Sequence, residues 1–489
     1  MKYILSLDQG TSSSRAILFD KKTNIVALEQ SEFKQYYPHQ NWVEQSPKEI
    51  WESQIQVAKD TIKDNLEDIH SIGITNQRET TIIWDKNTGE AIYKAIVWQD
   101  QRTNKRCDFL KNDFQDIIHK KTGLIIDPYF SASKIEWILN HVEGAREKAE
   151  KGELLFGTVD TWLVWNLTKG ELHITDVSNA SRTMLFNINS LEWDKELLDL
   201  FNIPESILPK VVSSSEVYGN THKDIFEKEI PISGIAGDQQ AALFGQTCFE
   251  KGMIKNTYGT GCFMLMNTGN KAKFSNNGLL STIAWQINGE TTYAFEGSIF
   301  MAGAAIKWLR DQLNIIKKAS ETEALALSVE DNGGVYIVPA FSGLGAPYWD
   351  SDVNGMVKGM KLSTTKAHIV RATLESIAYR TKDILALMEE ESDIKLHSLS
   401  ADGGASLNRF LMQFQSDILD IDINLPKNVE TTALGAAYLS GLATHFWSID
   451  DILKEHKINK TYQPNMSARD RERLYSEWNK TVQDLIASK

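Results

Sequence analysis

Hydrophobic positions at the start of the chain come in short runs broken by polar turns. Tyr3–Leu7 is mostly apolar and Asp8–Arg15 is mostly polar. Ala16–Phe19 is apolar again, and Ile25–Glu29 follows after a second turn. Runs of this length between turn residues predict three antiparallel strands. The period then changes. Trp51, Ile55, Ala58, Ile62 and Leu66 recur at helical spacing behind Ser46, Pro47 and Glu49, which form a capping-box start. Ile69–Thr75 predicts the next strand, so a strand–helix–strand crossover is expected. Thr80–Trp84 and Ala91–Trp98 predict a further hairpin about Asn87-Thr88-Gly89.

The second half repeats the opening in pattern rather than identity. Met253–Tyr258 predicts a strand, Gly259-Thr260-Gly261 a tight turn, and Phe263–Met266 the return strand. Leu396–Ala401 then runs into Asp402-Gly403-Gly404-Ala405, with a helix predicted from Ser406 through Leu419. A strand entering a glycine pair before a helix brings the helix N-terminus toward a ligand, although such turns are also common without one. No Pro/Ser linker separates the halves. The boundary is expected near residues 245–255, after the start of a helix at Ala241–Gly245, giving lobes 1–250 and 251–489 joined by a packed hinge. Leu474, Trp478, Val482 and Ile486 predict a closing helix over Ser467–Lys489.

Composition narrows the class. A chain of 489 residues exceeds one compact core, and 42% hydrophobic with 24% charged residues is ordinary for a globular protein. A net charge of −13 argues against nucleic acid or an anionic membrane as the main partner. The first apolar run is too short for a signal peptide, and Ala433–Trp447 is too short to span a bilayer. No membrane insertion and a cytoplasmic location are therefore expected. Three cysteines give no disulfide framework and fit a reducing compartment. There is no HExxH pattern, no Walker-type loop and no G-x-G-x-x-G fingerprint.

The turn Asp8–Arg15 carries the strongest candidate chemistry. It holds a carboxylate, Gly10, four consecutive hydroxyls and an arginine. Such hydroxyls and exposed N–H groups suit phosphate oxygens, and Asp8 suits magnesium, which takes oxygen ligands. The same residues also suit an ordinary hairpin turn. Two hairpins of this type plus the strand–Gly-Gly–helix segment point to a nucleotide held between duplicated lobes. Arg78 and Glu79, adjacent and opposite in sign, suit either a surface ion pair or hydroxyl recognition. Asp238 after Gly237 suits either an N-cap, which would hold its pKa low, or a general base.

The segments DQGTSSSR (8–15), GITNQRETT (73–81), AIVWQDQRT (95–103), DPYFSASKI (127–135), GIAGDQQAALFGQ (234–246), NTYGTGCF (256–263), FSGLGAPYWD (341–350) and DGGASLNRFLMQFQSDIL (402–419) occur in this order. Along almost the whole chain they resemble the FGGY carbohydrate kinases. The resemblance implies an α/β, two-lobed ribonuclease H-like (actin-like ATPase) fold, with a duplicated core and a catalytic cleft between lobes. It implies ATP-dependent phosphorylation of glycerol to sn-glycerol 3-phosphate, with Mg2+ accompanying ATP and with glycerol and ATP as the partners. A homodimer or homotetramer is expected.

By the same resemblance, Asp238 is the base and Gln239 contacts the substrate. Arg78, Glu79 and Tyr129 bind hydroxyls, and Trp98 and Phe263 wall the carbon backbone. Thr11, Ser12, Ser13 and Arg15 hold the β- and γ-phosphates, and Asp8 orients magnesium. Thr260 contributes from the second lobe, and Gly303, Gly404 and Asn408 line the nucleotide site. Lys307 departs from the glutamine common in relatives. Segment 219–231 lacks the glycine-rich, arginine-bearing loop by which some enteric members bind fructose 1,6-bisphosphate. It also lacks the context of the histidine phosphorylated in some Gram-positive relatives. The alternatives are a xylulose or gluconate kinase of the same family, and an actin-like or chaperone-like ATPase. The Arg78, Glu79 and Trp98 segments argue against the first, and a polyol pocket argues against the second.

Overall fold

The computed structural model describes residues 1–341, 343–348, 350 and 352–488; Ser342 and Trp349 of the 341–350 motif lie outside them. A single sheet of thirteen strands runs through the protein. Along the chain its strands are β1 (Tyr3–Gln9), β2 (Ser13–Phe19), β3 (Ile25–Glu32), β4 (Ile69–Asn76), β5 (Ser215–Asn220), β6 (Pro231–Gly237), β7 (Ile254–Tyr258), β8 (Cys262–Gly269), β9 (Leu280–Ile287), β10 (Glu290–Ile299), β11 (Ser398–Asp402), β12 (Asp422–Pro426) and β13 (Ile458–Tyr462). Their spatial order is β13-β12-β11-β7-β8-β10-β9-β5-β6-β4-β1-β2-β3.

The duplication is visible in this order. β1, β2 and β3 pair antiparallel, and β4 and β6 add parallel to the free side of β1. In the second half, β7, β8 and β10 pair antiparallel, and β11 and β12 add parallel to the free side of β7. The second unit differs by one extra strand, β9. The halves meet where β9 pairs with β5 through Ser215 and Ile287.

Period-two alternation feeds two cores at once. Leu5, Leu7, Ala16 and Leu18 face the Pro47–Ile62 helix, whose Ile50, Val57, Ala58 and Ile62 complete that layer. Ile4, Ile17 and Phe19 face the opposite side, against Ala433 and Ala437 of the Thr431–Ala443 helix. That helix comes late in the chain yet packs on first-half strands. Ser6 donates to the Ala433 carbonyl at 2.7 Å, and Ser71 meets Ser440 at 2.7 Å. It also crosses the Asp238–Gly245 helix with no room for side chains. A Cβ on Gly435 would lie 1.8 Å from the Ala241 carbonyl oxygen.

Several local expectations change. Ser46 caps the helix at Glu49 N, but the Glu49 carboxylate accepts from the Tyr36 hydroxyl, so only half of the capping box forms. The helix ends at Ile62, leaving Leu66 in a short 3-10 turn. The hairpin expected from Thr80–Trp84 and Ala91–Trp98 is reduced to isolated bridges at Thr81–Ile96 and Trp84–Ala91. Ile82–Asp85 pairs instead with Leu154–Gly157, and Ala95–Ile96 with Glu44–Gln45. Ala241–Gly245 ends a helix that begins at Asp238 rather than starting one. The helix expected from Ser406 begins at Arg409, after a 3-10 turn at Gly404–Leu407. The closing helix spans Ala468–Ala487 behind Ser467, with Trp478 and Val482 buried.

Candidate active site

Both glycine turns lie between antiparallel strands, as expected. In the first, Gly10 N donates to Ser13 O at 2.9 Å. The Thr11 carbonyl accepts from Gln35 at 3.1 Å and from Gln45 at 2.7 Å, so side chains from outside the hairpin set its shape. Ser12 is exposed at the tip. Asp8 is buried and receives Arg15 Nη2, while Arg15 Nη1 donates to Glu430 at 2.6 Å. Burial raises the pKa of Asp8, Arg15 lowers it, and Glu430 raises it again. Glu430, just ahead of the Thr431–Ala443 helix, was not legible as part of this turn.

In the second turn, Thr260 is exposed, and its carbonyl accepts from Ala302 N at 3.1 Å and Ala304 N at 2.9 Å. Gly303 is needed here for space, because a Cβ would sit 2.6 Å from the Gly259 carbonyl oxygen. Gly404 faces open space, where an added Cβ would meet nothing within 4 Å. Asn408 spends its side chain on local structure: Oδ1 accepts from Leu411 N at 3.0 Å, and Nδ2 donates to Thr322 at 3.0 Å. Lys307 is exposed on the Gly303–Asp311 helix.

The aromatic residues converge from three segments. Trp98 lies edge-on to Tyr129 at 5.5 Å and to Phe263 at 6.4 Å. Its indole donates to Thr11 Oγ1 at 3.0 Å, tying this wall to the first turn. All three rings are partly buried. Phe263 belongs to β8 and Trp98 to the first half, so the wall spans the two halves.

Beside the wall is a charge cluster. Arg78 Nη2 donates to Glu296 Oε1 at 3.0 Å and to the Tyr129 hydroxyl at 3.3 Å, and its Nε lies 3.4 Å from Asp238 Oδ1. Glu79 accepts from Arg182 Nε at 2.6 Å, and Arg182 Nη2 also reaches Glu296 at 3.0 Å. Arg78 and Glu79 are therefore buried, which rules out a surface pair, yet each has its main partner elsewhere; their own separation is 3.7 Å. Burial opposes ionisation of Glu296, but Arg182 and Arg78 outweigh it and bring its pKa down to about 2. Glu79 has φ +61°, with Thr80 N donating to the Arg78 carbonyl at 2.7 Å across it. Such a backbone persists only where its surroundings over-determine it, and it clusters at functional sites.

Asp238 is the first residue of its helix, and Gly237 is the N-cap. Its carboxylate accepts from Gln239 N at 2.7 Å, and its side chain keeps 31% of its surface open. Burial raises its pKa, while Arg78 and Lys255 oppose the rise. The low pKa expected of a capping aspartate is thus replaced by a raised one, which makes a stronger base. Gln239 is buried against Lys255.

Among the described residues, no group of three or more His, Cys, Asp or Glu side chains is placed to hold a metal. Asp8 alone, beside phosphate-type hydroxyls, suits a cation that keeps waters and shares phosphate oxygens.

Residues 3–245 match the N-terminal domain of the FGGY family of carbohydrate kinases, and residues 254–444 match its C-terminal domain. The chain belongs to this family. It is 61% identical over 487 residues to "Glycerol kinase 2" of Thermotoga maritima, covering 99% of this chain and 98% of that one. It is 62% identical over 487 residues to "Glycerol kinase" of a Thermoanaerobacter species, with the same coverage. Among solved structures, glycerol kinase of Plasmodium falciparum with ADP superposes with a TM-score of 0.94 at 39% identity, covering 99% of this chain and 98% of that one. A xylulose kinase from Lactobacillus acidophilus shares the fold, with a TM-score of 0.91 at 21% identity over 100% of this chain and 99% of that one.

Proposed function

We propose that this chain transfers the γ-phosphoryl group of ATP to glycerol, giving sn-glycerol 3-phosphate. The observation that carries the reading is one juxtaposition: Asp238 beside Arg78, under the Trp98–Tyr129–Phe263 wall. A small triol needs both donors and acceptors close together. Arg78, Tyr129 and Gln239 supply donors, Glu79 supplies an acceptor, and Trp98 and Phe263 cover the carbon chain. The attacking hydroxyl gives its proton to Asp238 as the phosphoryl group arrives. Phosphoryl transfer otherwise asks the protein for positioning and charge neutralisation. Thr11, Ser12, Ser13 and Arg15 meet the β- and γ-phosphates from one side and Thr260 from the other. Gly303, Gly404 and Asn408 border the nucleotide. A divalent metal accompanies ATP in kinases of this kind; Mg2+, held beside Asp8, would neutralise charge on the phosphate oxygens.

The reading predicts a kcat/KM for glycerol about 10⁴-fold above that for xylulose or gluconate, because a hydroxyl-matched site rejects poor analogues to this extent. Steady-state rates on each substrate check it, and faster turnover of either sugar substrate would overturn it.

Phosphate contacts from both halves favour a closed cleft through their differential affinity for it. Lobes 1–250 and 251–489, hinged near 245–255, are expected to close on ATP and glycerol together and exclude water. Small-angle scattering with a non-hydrolysable nucleotide plus glycerol should give a smaller radius of gyration than the free protein. Equal radii at saturation would contradict closure. No helix among the described residues is long and apolar enough to cross a membrane. A cytoplasmic enzyme, assembled as a homodimer or homotetramer, completes the reading.

A further inference from the structure

We propose that Lys255 is a positioning residue that fixes the side-chain amide of Gln239 so that its NH2 group, rather than its carbonyl, faces the polyol. The inference rests on the glycerol reading of the same site. Lys255 is fully buried on β7. Its ammonium donates to Gln239 Oε1 at 2.5 Å, to Thr257 Oγ1 at 3.0 Å and to the Phe263 carbonyl at 3.2 Å. An ammonium has three donors and no acceptor, so the atom it meets on Gln239 must be the oxygen. An amide free to turn over offers either face; this one is held to a single face. The NH2 group is thereby turned toward the Asp238 carboxylate, to which it donates, on the side of the attacking hydroxyl.

A buried lysine without an ion-pair partner is unfavourable unless its hydrogen bonds are complete. Here three acceptors complete them, and no carboxylate among the described residues lies within salt-bridge distance of it. Burial brings the Lys255 pKa down to about 8. The acceptors are a substrate residue, the turn-side strand and the backbone of an aromatic wall residue. Lys255 thus joins the Asp238–Gly245 helix to the β7–β8 hairpin, across the passage between the two halves.

The charged groups facing these residues are few. Asp238 faces Arg78 and Lys255. Lys255 is acted on by Asp402, Asp238, Arg78 and Glu296. Removing the ammonium leaves Arg78, Asp402 and Glu296 in place and deletes one cation from beside Asp238.

The test compares wild type, Lys255→Met and Gln239→Glu. For Lys255→Met, KM for glycerol should rise ~10-fold, the effect of losing one charge-assisted hydrogen bond. KM for ATP should hold, and the acid limb of the kcat/KM profile should move to higher pH because a cation that favours the Asp238 carboxylate is gone. Gln239→Glu keeps an acceptor for Lys255, so its melting temperature should hold or rise, while KM for glycerol rises with the lost donor. A Lys255→Met enzyme with the wild-type glycerol KM and acid limb would overturn the proposal, as would equal rises in both KM values. If Lys255→Met does not fold, a wild-type glycerol KM in Gln239→Glu overturns it instead. Absence of glycerol turnover in wild type would overturn the substrate reading, whereas normal wild-type turnover with unchanged variants overturns only the role of Lys255.

Discussion

Replacing Asp238 with asparagine is expected to lower kcat by about 10²–10⁴-fold, the range a positioned general base contributes. The amide is nearly isosteric, and its oxygen can still accept from Gln239 N, so the helix start is kept. It cannot take the proton of the attacking hydroxyl. ATP binding should change little, because the proposed phosphate contacts come from the two glycine turns. The raised pKa of Asp238 adds a sign to the pH dependence. The base works only when ionised, so activity falls as pH drops through a pKa above that of an ordinary aspartate. The wild-type acid limb should reflect this, and Asp238→Asn should lose it. Near-normal kcat in a folded Asp238→Asn enzyme would remove Asp238 from the base role.

Arg78→Ala is expected to weaken glycerol binding by roughly 2–5 kcal/mol, since truncating one member of a buried charge pair also strands the other. Adjacency in sequence points to Glu79 as the stranded partner. The structure transfers that consequence to Glu296, which loses both of its bonds from Arg78 and keeps only Arg182. Glu79 retains Arg182 at 2.6 Å. Stability should therefore fall as well, by about 3–5 kcal/mol. Calorimetric titration of glycerol and nucleotide separately, on protein shown to be folded, checks both parts. Unchanged glycerol affinity would make Arg78 only a counterion for Glu296.

The two glycine turns were legible because short apolar runs on either side leave few ways to connect them. Thr260 is exposed at its turn and Thr11 partly so, whereas Asp8 is buried at the end of β1 against Arg15. Arg182, Glu296, Lys255 and Glu430 were not legible, because each acts on a residue far away or in another element. Arg78 and Glu296 are 218 positions apart. A signal did exist for two of them. Glu296 follows the buried Ala294 and Phe295, and Lys255 lies between the buried Ile254 and Asn256. A charge on the buried phase of a strand needs a partner or a task. The Thr80–Trp98 hairpin fails although the Asn87-Thr88-Gly89 turn is real, because the better strand partner, Leu154–Gly157, comes much later in the chain.

The most direct test of glycerol phosphorylation follows the phosphorus nuclei of ATP by magnetic resonance while the enzyme acts, with glycerol, dihydroxyacetone, xylulose and gluconate in parallel arms. The account predicts that with glycerol the γ-phosphoryl signal passes stoichiometrically into sn-glycerol 3-phosphate as ADP appears, and that this arm runs fastest. Release of inorganic phosphate without a phosphorylated triol, or faster transfer to xylulose or gluconate, would contradict it.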